Sequence, residues 1–337
     1  MRDSFEMKPL VSIVTPCYNM ENKIHNYLDS ILNQEYTNIE LILVNDGSTD
    51  GTEKIIKKYI PQFERNGFII KYIVQKNGGA ASALKNGLNY VTGEYLMWPD
   101  ADDILMNNSV GSKVDYLEKH PEYAFVRTNA YVLKSSDLED RSNLVVKSKN
   151  LKRNNIYKEC IRFKTFYCCG CYMIRWSKFL EANPEKYIFE TKFGQNIQML
   201  IPMAFKYECG YIDEPQYGYI VYEDSHSHLG GNKTYEKRID YSRNVEKIIT
   251  ETMQHFPDIP QKDINIVQND FCKRRMRIAY ENGRKSDAIN EYKSVTGIKK
   301  FDFTLFLMKF KRNKVIDRLL IIDDMFDIIF FQIMNRR

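Results

Sequence analysis

The 337-residue chain has no uninterrupted apolar run of the ~18 residues that a membrane-spanning helix requires. Its first residues, MRDSFEMKPL, carry no apolar signal core, so a cytoplasmic protein is expected. A disulfide framework is also missing. The seven cysteines are odd in number, and the CCGC stretch (Cys168, Cys169, Cys171) has neither a second pair at zinc-finger spacing nor a histidine close behind. Free, buried thiols in a reducing compartment are the expectation. Charge of one sign is scarce: a net +5 admits anionic ligands but is too weak to argue for nucleic acid. Two nucleotide-binding loops are absent as well. GGAASALKNG is glycine-rich without the Gly-Lys-Ser/Thr ending of a P-loop, and no G-x-G-x-x-G follows the first apolar run.

What is present is an ordinary globular core: 43% of residues are hydrophobic, enough for one large domain or two modest ones. Tyrosine (23) and phenylalanine (19) are plentiful, which suits sugar or nucleotide clefts and suits plain packing equally. Two periods alternate along the first hundred residues. LVSIVTP, IELILVND, FIIKYIV and YLMW read as buried strands. Between them, Ile24, Tyr27, Leu28, Ile31 and Leu32 recur at helical spacing, Ser48-Thr49-Asp50 offers capping groups for a helix through Ile55, Ile56 and Tyr59, and Gly78-Gly79 opens a third helix. Strand-helix alternation with short links predicts an α/β fold with a mostly parallel sheet flanked by helices. Three regions are expected: 9–105 and 106–229 as the halves of one α/β domain, and 230–337 as a helical extension. No repeat or low-complexity segment appears. The last stretch, KVIDRLLIIDDMFDIIFFQIMNRR, is an amphipathic helix. It fits peripheral contact with a membrane face, but Asp323, Asp324 and Asp327 favour packing against the body.

In parallel sheets ligands bind beyond the carboxyl ends of the strands. Four polar clusters fall there: TPCYN, NDGSTD, QKNGGAAS and WPDADD. The last crowds Asp100, Asp102 and Asp103 together, which costs free energy unless a cation joins them. A divalent ion with a bound diphosphate answers that cost; solvated turn carboxylates are the alternative.

VSIVTPCYNMENKIHNYLDSILNQEYTNIELILVNDGSTDGT followed by NGGAASALKNGLNYVTGEYLMWPDADD resembles the family 2 glycosyltransferases of the GT-A fold over about the first third of the chain. The resemblance implies a nucleotide-sugar donor, UDP-linked in the first instance, a divalent Mn or Mg ion, and transfer with inversion to a glycan or lipid-linked acceptor in bacterial surface polysaccharide synthesis. It implies nucleotide contacts from Thr15, Pro16 and Tyr18 in the first loop, with Asp46 holding the base. Asp100 and Asp102 would meet ribose, metal and diphosphate. Glu21 and Asn77, in the same loops, join the candidate nucleotide contacts.

The chain departs from the family at two places. Lys85-Asn86 stands where relatives commonly carry Arg-Asn, which keeps the charge and loses the bidentate fork. In FGQNIQML, Gln195 and Asn196 stand where many relatives carry Glu-Asp, whose aspartate deprotonates the acceptor. An amide cannot take that proton. Glu190 and Asp224 are the acidic replacements; alternatively, Gln195 and Asn196 merely orient the acceptor hydroxyl. YEDSHSH is similar to a subset of surface-polysaccharide transferases and puts His226 or His228 near the diphosphate or metal. A catalytically silent nucleotide-sugar-binding scaffold is the alternative reading, and no oligomeric state is implied.

Overall fold

The computed structural model of the chain describes residues 8–146, 152–165, 167–191, 194–222 and 234–294. They fall into two compact units, Met1–Gly231 with Lys247–Asp263, and Asn232–Glu246 with Ile264–Arg337.

In the first unit the apolar runs become strands. β1 (Val11–Cys17) and β2 (Ile39–Asn45) are buried along almost their whole length, as strands covered on both faces must be. β3 (Ile69–Val74) lies outside β2, and β4 (Tyr95–Met97) lies on the other side of β1. All four are mutually parallel. The helices between them are α1 (Ile24–Leu32), α2 (Thr52–Arg65) and α3 (Ala80–Gly87). Gly87 marks how closely α3 sits on the sheet: a Cβ there would come within 2.4 Å of Val14 Cγ1 and 3.1 Å of Val44 Cγ2.

Beyond β4 the sheet loses its regularity. Its order is β3-β2-β1-β4-β8-β6-β9, with β8 (Tyr172–Arg175) antiparallel to both β4 and β6 (Phe125–Arg127), and β9 (Cys209–Tyr211) parallel to β6. A second sheet, β5-β10-β7, is built from Ile104–Leu105, Tyr217–Val221 and Ala130–Lys134. α4 (Ser109–Lys119), α5 (Tyr157–Ile161), α6 (Trp176–Ala182) and α7 (Gln195–Lys206) complete the layers. This is the expected mixed α/β architecture with a mostly parallel centre. FVRTNAYVL, which reads as one strand, divides instead: Thr128-Asn129 turns the chain out of β6 and into β7 of the other sheet.

The second unit is helical. α8 (Tyr235–His255) supplies its first half, followed by α9 (Gln261–Glu281) and α10 (Lys285–Lys293). Arg275, almost fully buried, ties the three together through Glu246 and through Glu291, the latter at 2.8 Å. Among the described residues no helix is long and apolar enough to cross a membrane. The C-terminal stretch 314–337 lies outside the described residues.

One charge sits deep in the sheet. Glu40 of β2 has 0% exposure in an otherwise aliphatic strand. Its carboxylate accepts bonds from Ser12 Oγ, Lys71 Nζ, the Thr92 amide (2.9 Å) and Thr92 Oγ1 (2.8 Å). Burial alone would raise its pKa; the bonds from Lys71, Ser12 and Thr92 outweigh that and hold it below the ordinary value. A group depressed in this way contributes stability that is complete above its unfolded pKa, about 4.3, and is lost as pH falls through the folded value. Glu40→Gln leaves two donors facing an amide, while Lys71 still reaches water. We expect a loss of about 2–3 kcal/mol at neutral pH, read from urea midpoints, with the gap to the parent closing at about pH 3. A gap that is constant with pH would remove Glu40 as the cause.

Candidate functional site

Because β1 to β4 are parallel, the loops after them emerge on one edge. The chain lays β2 and β3 to one side of β1 and β4 to the other, so a crevice opens at this reversal. Hydrogen bonds stitch the loops into one surface. The Asn19 amide donates to Ser48 Oγ (3.0 Å), and Asn19 Oδ1 accepts from the Thr49 amide (2.8 Å). Asn19 takes φ +51°, a left-handed turn that asparagine tolerates.

Asp46, at the end of β2, is 1% exposed. Its Oδ1 accepts from Gln75 Nε2 (2.8 Å) and the Gly78 amide (2.9 Å); Oδ2 accepts from the Gly79 amide (2.8 Å). It therefore caps the start of α3, where backbone donors have no helical partner. Asn77 Nδ2 donates to the Asp46 carbonyl at 3.0 Å.

The carboxylate trio does not act as a unit. Asp103 is buried and turned inward: Oδ2 accepts from Tyr217 Oη (2.8 Å) and Oδ1 from the Ile220 amide (2.8 Å). Burial, then Asp102 and Asp100, push its pKa well up. It anchors the loop to β10 and is not offered to a ligand. Asp100 and Asp102 are half-buried on the open side. Burial and the charge of Asp102 push Asp100 up to about 6, against bonds from Cys169 and Gln195. Gln195 Nε2 stands 3.2 Å from Asp100 Oδ1.

Several of these contacts lie outside what motif and periodicity show. The Cys169 thiol bonds to Asp100, and Tyr217 Oη also receives the Asp100 amide at 3.3 Å. Gly170 lies against the Tyr217 ring so closely that a Cβ would sit 2.0 Å from Cε2. CCGC is thus the backing of the carboxylate loop. The only sequence signal was the unusual density of small and thiol residues. All seven cysteines are free and six are buried, as expected.

The other candidates distribute as follows. Thr15 is fully buried with its hydroxyl on Tyr27, so its side chain is not presented to a ligand. Pro16 is half-buried and Tyr18 is 44% exposed, both at the mouth of the crevice. Glu21 Oε2 accepts the Gly51 amide at 3.0 Å and Asp50 Oδ1 accepts that of Thr52 at 3.0 Å, so these two carboxylates share the start of α2. Lys85 Nζ pairs with Glu190 Oε1 at 2.8 Å across a half-exposed surface. Asn196 does not face the crevice as an acceptor clamp would: Nδ2 donates to the Tyr167 carbonyl at 3.1 Å, and Oδ1 is buried without a partner among the described residues. Asp224, His226 and His228 lie outside the described residues.

With the geometry in view, similarity to known proteins becomes informative. Residues 12–182, more than half of the chain, match the model of glycosyl transferase family 2. The minor teichoic acid biosynthesis protein GgaB of Bacillus subtilis (strain 168) is 30% identical over 258 residues, 73% of this chain and 27% of that protein. The chain spans less than half of the length of curated relatives such as this one, from 13% to 44%. Among solved structures, S. aureus TarS 1–349 in complex with UDP-GlcNAc superposes with a TM-score of 0.57 at 18% identity, over 85% of this chain and 90% of that one. Mannosyltransferase PcManGT from Pyrobaculum calidifontis, in complex with GDP-Man and Mn²⁺, gives 0.55 at 16% identity, over 88% and 77%. These structures share the fold, and the sequence match over residues 12–182 places the chain in glycosyl transferase family 2.

Proposed function

We propose that the chain is an inverting glycosyltransferase that uses a UDP-linked sugar and a divalent cation to extend a bacterial cell-surface polysaccharide. The observation that carries this reading is the pairing, on one sheet edge, of a capped Asp46 with an open, half-buried Asp100/Asp102 pair. The relative involved in minor teichoic acid biosynthesis supports the acceptor class. The seven unpaired thiols support a reducing, cytoplasmic setting.

The residues present fit a hard cation that is completed by its substrate. Among the described residues no group of three acidic, histidine or cysteine side chains could hold a metal by itself. Two carboxylates with phosphate oxygens and waters are, however, an ordinary set for Mg²⁺ or Mn²⁺. Burial, then the charge of Asp102, raise the Asp100 pKa, and a cation bound there would offset both. Asp100 and Asp102 would hold the ion, which when bound supplies positive charge to the departing diphosphate. Asp103 would keep the loop in place from β10, and Cys169 and Gln195 would fix the Asp100 carboxylate.

Asp46 argues for uracil. A carboxylate has about four acceptor positions, and three are taken by Gln75, Gly78 and Gly79. The one left on Oδ2 suits the single imide N–H of uracil better than the two adjacent donors of guanine. Near the sugar, both amides of the α7 start are committed to the protein. Of the two acidic candidates, Glu190 is the one among the described residues, and it would take the acceptor proton, with Lys85 as its counter-ion and as a second cation for the diphosphate.

Four measurements test this. Asp102→Ala should keep its melting temperature or gain slightly, because a like charge leaves the loop, yet lose metal-dependent UDP binding in calorimetry. Metal affinity should fall about tenfold per pH unit once Asp100 protonates, below about pH 6; a flat profile, or unchanged UDP affinity in the variant, sinks the metal site. UDP should bind at least about tenfold tighter than GDP, a difference of one hydrogen bond's order, and the preference should survive chelation. A preference that vanishes with the metal would place its origin at the diphosphate. Glu190→Gln should lower kcat by about 10² or more with donor affinity nearly intact. Turnover that is unchanged at saturating acceptor would remove Glu190 as the base and leave Gln195 and Asn196 as groups that only orient the hydroxyl.

A further inference from the structure

Three cysteines within four residues and a buried lysine are unexplained by glycosyl transfer. Cys168, Cys169 and Cys171 form a 3₁₀ turn over Cys169–Cys171, with the Cys171 amide on the Cys168 carbonyl at 3.1 Å. The Cys168 and Cys171 thiols hydrogen-bond to each other. Cys168 is the one cysteine of the seven that is not fully buried, and Cys171 lies behind it. Deeper still is Lys113 of α4, with 0% exposure. Its ammonium bonds to Ser109 Oγ (2.7 Å) and the Ser109 carbonyl (3.0 Å), and no carboxylate pairs with it among the described residues. Burial pushes its pKa down to about 7, and the group that favours its charge is the Cys171 sulfur.

A buried amine without a carboxylate is costly. An accessible thiol, a resolving thiol three residues on and a cation behind it make a complete exchange unit. The same turn holds Cys169 against Asp100 and Gly170 under Tyr217, whose hydroxyl carries Asp103.

We propose that Cys168 and Cys171 are a redox pair, oxidised by low-molecular-weight disulfides to an intramolecular disulfide that reversibly weakens donor binding. The step balances. The Cys168 sulfur attacks one sulfur of the oxidant RSSR, giving Cys168–S–S–R and one RSH, which takes the Cys168 proton. The Cys171 thiol then attacks Cys168 Sγ, forms the Cys168–Cys171 bond and expels the second RS⁻, which takes up the Cys171 proton. Two protein thiols are oxidised and one disulfide is reduced to two thiols. Bonding draws the two sulfurs from hydrogen-bond distance to about 2.05 Å, which tightens the turn. With no free space between Gly170 and the Tyr217 ring, the shift passes to Tyr217 and to the Asp100–Asp103 loop.

This effect on the donor rests on the function proposed above, whereas the disulfide itself does not. The full-length protein is incubated with oxidised glutathione, alkylated and digested. We expect the peptide Thr165–Arg175 to lose two hydrogens, with the loss abolished in Cys168→Ser and in Cys171→Ser but kept in Cys169→Ala. Lys113→Met, which keeps an apolar stem, should accumulate the glutathione adduct at Cys168. Oxidation should raise the Kd for UDP with Mn²⁺ about five- to tenfold, reversed by dithiothreitol and absent in Cys168→Ser. Trp98 stacks on Tyr172, the residue after the turn, at 6.3 Å and 19°. Its emission, read in a Trp176→Phe background, reports the turn's movement without any ligand. Absence of the disulfide, or a disulfide that changes neither UDP affinity nor Trp98 emission, overturns the proposal. A protein that binds no UDP in either state would sink the donor reading, while the emission change would still decide the switch.

Discussion

The arrangement depends on one electrostatic constraint: three carboxylates in four residues at a half-buried strand end. Left alone, like charges at this spacing in a low-dielectric site would raise one another's pKa until one took up a proton, or would unfold the loop. The protein treats each differently. Asp103 is withdrawn into the protein and satisfied by Tyr217 and the Ile220 amide. Asp100 is half-withdrawn, with donors from Cys169 and Gln195 that only partly offset burial. Asp102 stays on the open side with it. The result is a loop fixed by its innermost member, with its outer two half-buried, an arrangement that the proposed cation-bridged diphosphate would use.

β2 shows how the same fold separates stability from function. It carries an acid near each end. Glu40, at the amino end, is enclosed by four donors from Ser12, Lys71 and Thr92, so it has no acceptor position to spare and its role is to hold β1, β2, β3 and the turn before β4 together. Asp46, beyond the carboxyl end, is held by three donors and keeps one position free. Parallel strands put every carboxyl end on one edge, so an incompletely satisfied acid there faces the crevice and one at the other edge would be only a liability.

The first third of the chain was legible because parallel strands covered on both faces are continuous apolar runs, and Gly, Asn and Asp punctuate them. Even there, burial hid Thr15's orientation, since a hydroxyl in a β-branched run can turn toward a core tyrosine as easily as toward solvent. The second half was less legible for a physical reason: β6, β8 and β9 are three or four residues long, too short for a period, and β8 runs against its neighbours. Asp103's inward turn depends on Tyr217, 114 residues away, and Cys169's bond to Asp100 also joins residues far apart in the chain. No local pattern encodes such contacts. The carboxylate cluster at the end of β4 was therefore readable in outline, and the division between its buried and half-buried members was not.

The amide pair at the start of α7 takes on a different meaning in this light. Gln195 stands 3.2 Å from Asp100, and a carboxylate in its place would add a fourth negative charge to a group already raised by burial and by Asp102. At that distance repulsion of several kcal/mol is expected in a partly buried site, enough to keep Asp100 protonated and unfit to hold a cation. Gln195 does the opposite: its donated N–H favours the ionised form. Glutamine in this position is thus consistent with a working metal loop rather than with decay of the site, but it moves the proton acceptor elsewhere. Glu190, held at 2.8 Å by Lys85 on α3, is the carboxylate that sits beside the proposed donor cradle without loading more charge onto Asp100. The ion pair is exposed and worth little, about 0–1 kcal/mol, so on the function proposed above a diphosphate would take Lys85 and release Glu190 at small cost. Loss of an acid at one position and its pairing with a lysine at another are then two parts of one electrostatic solution.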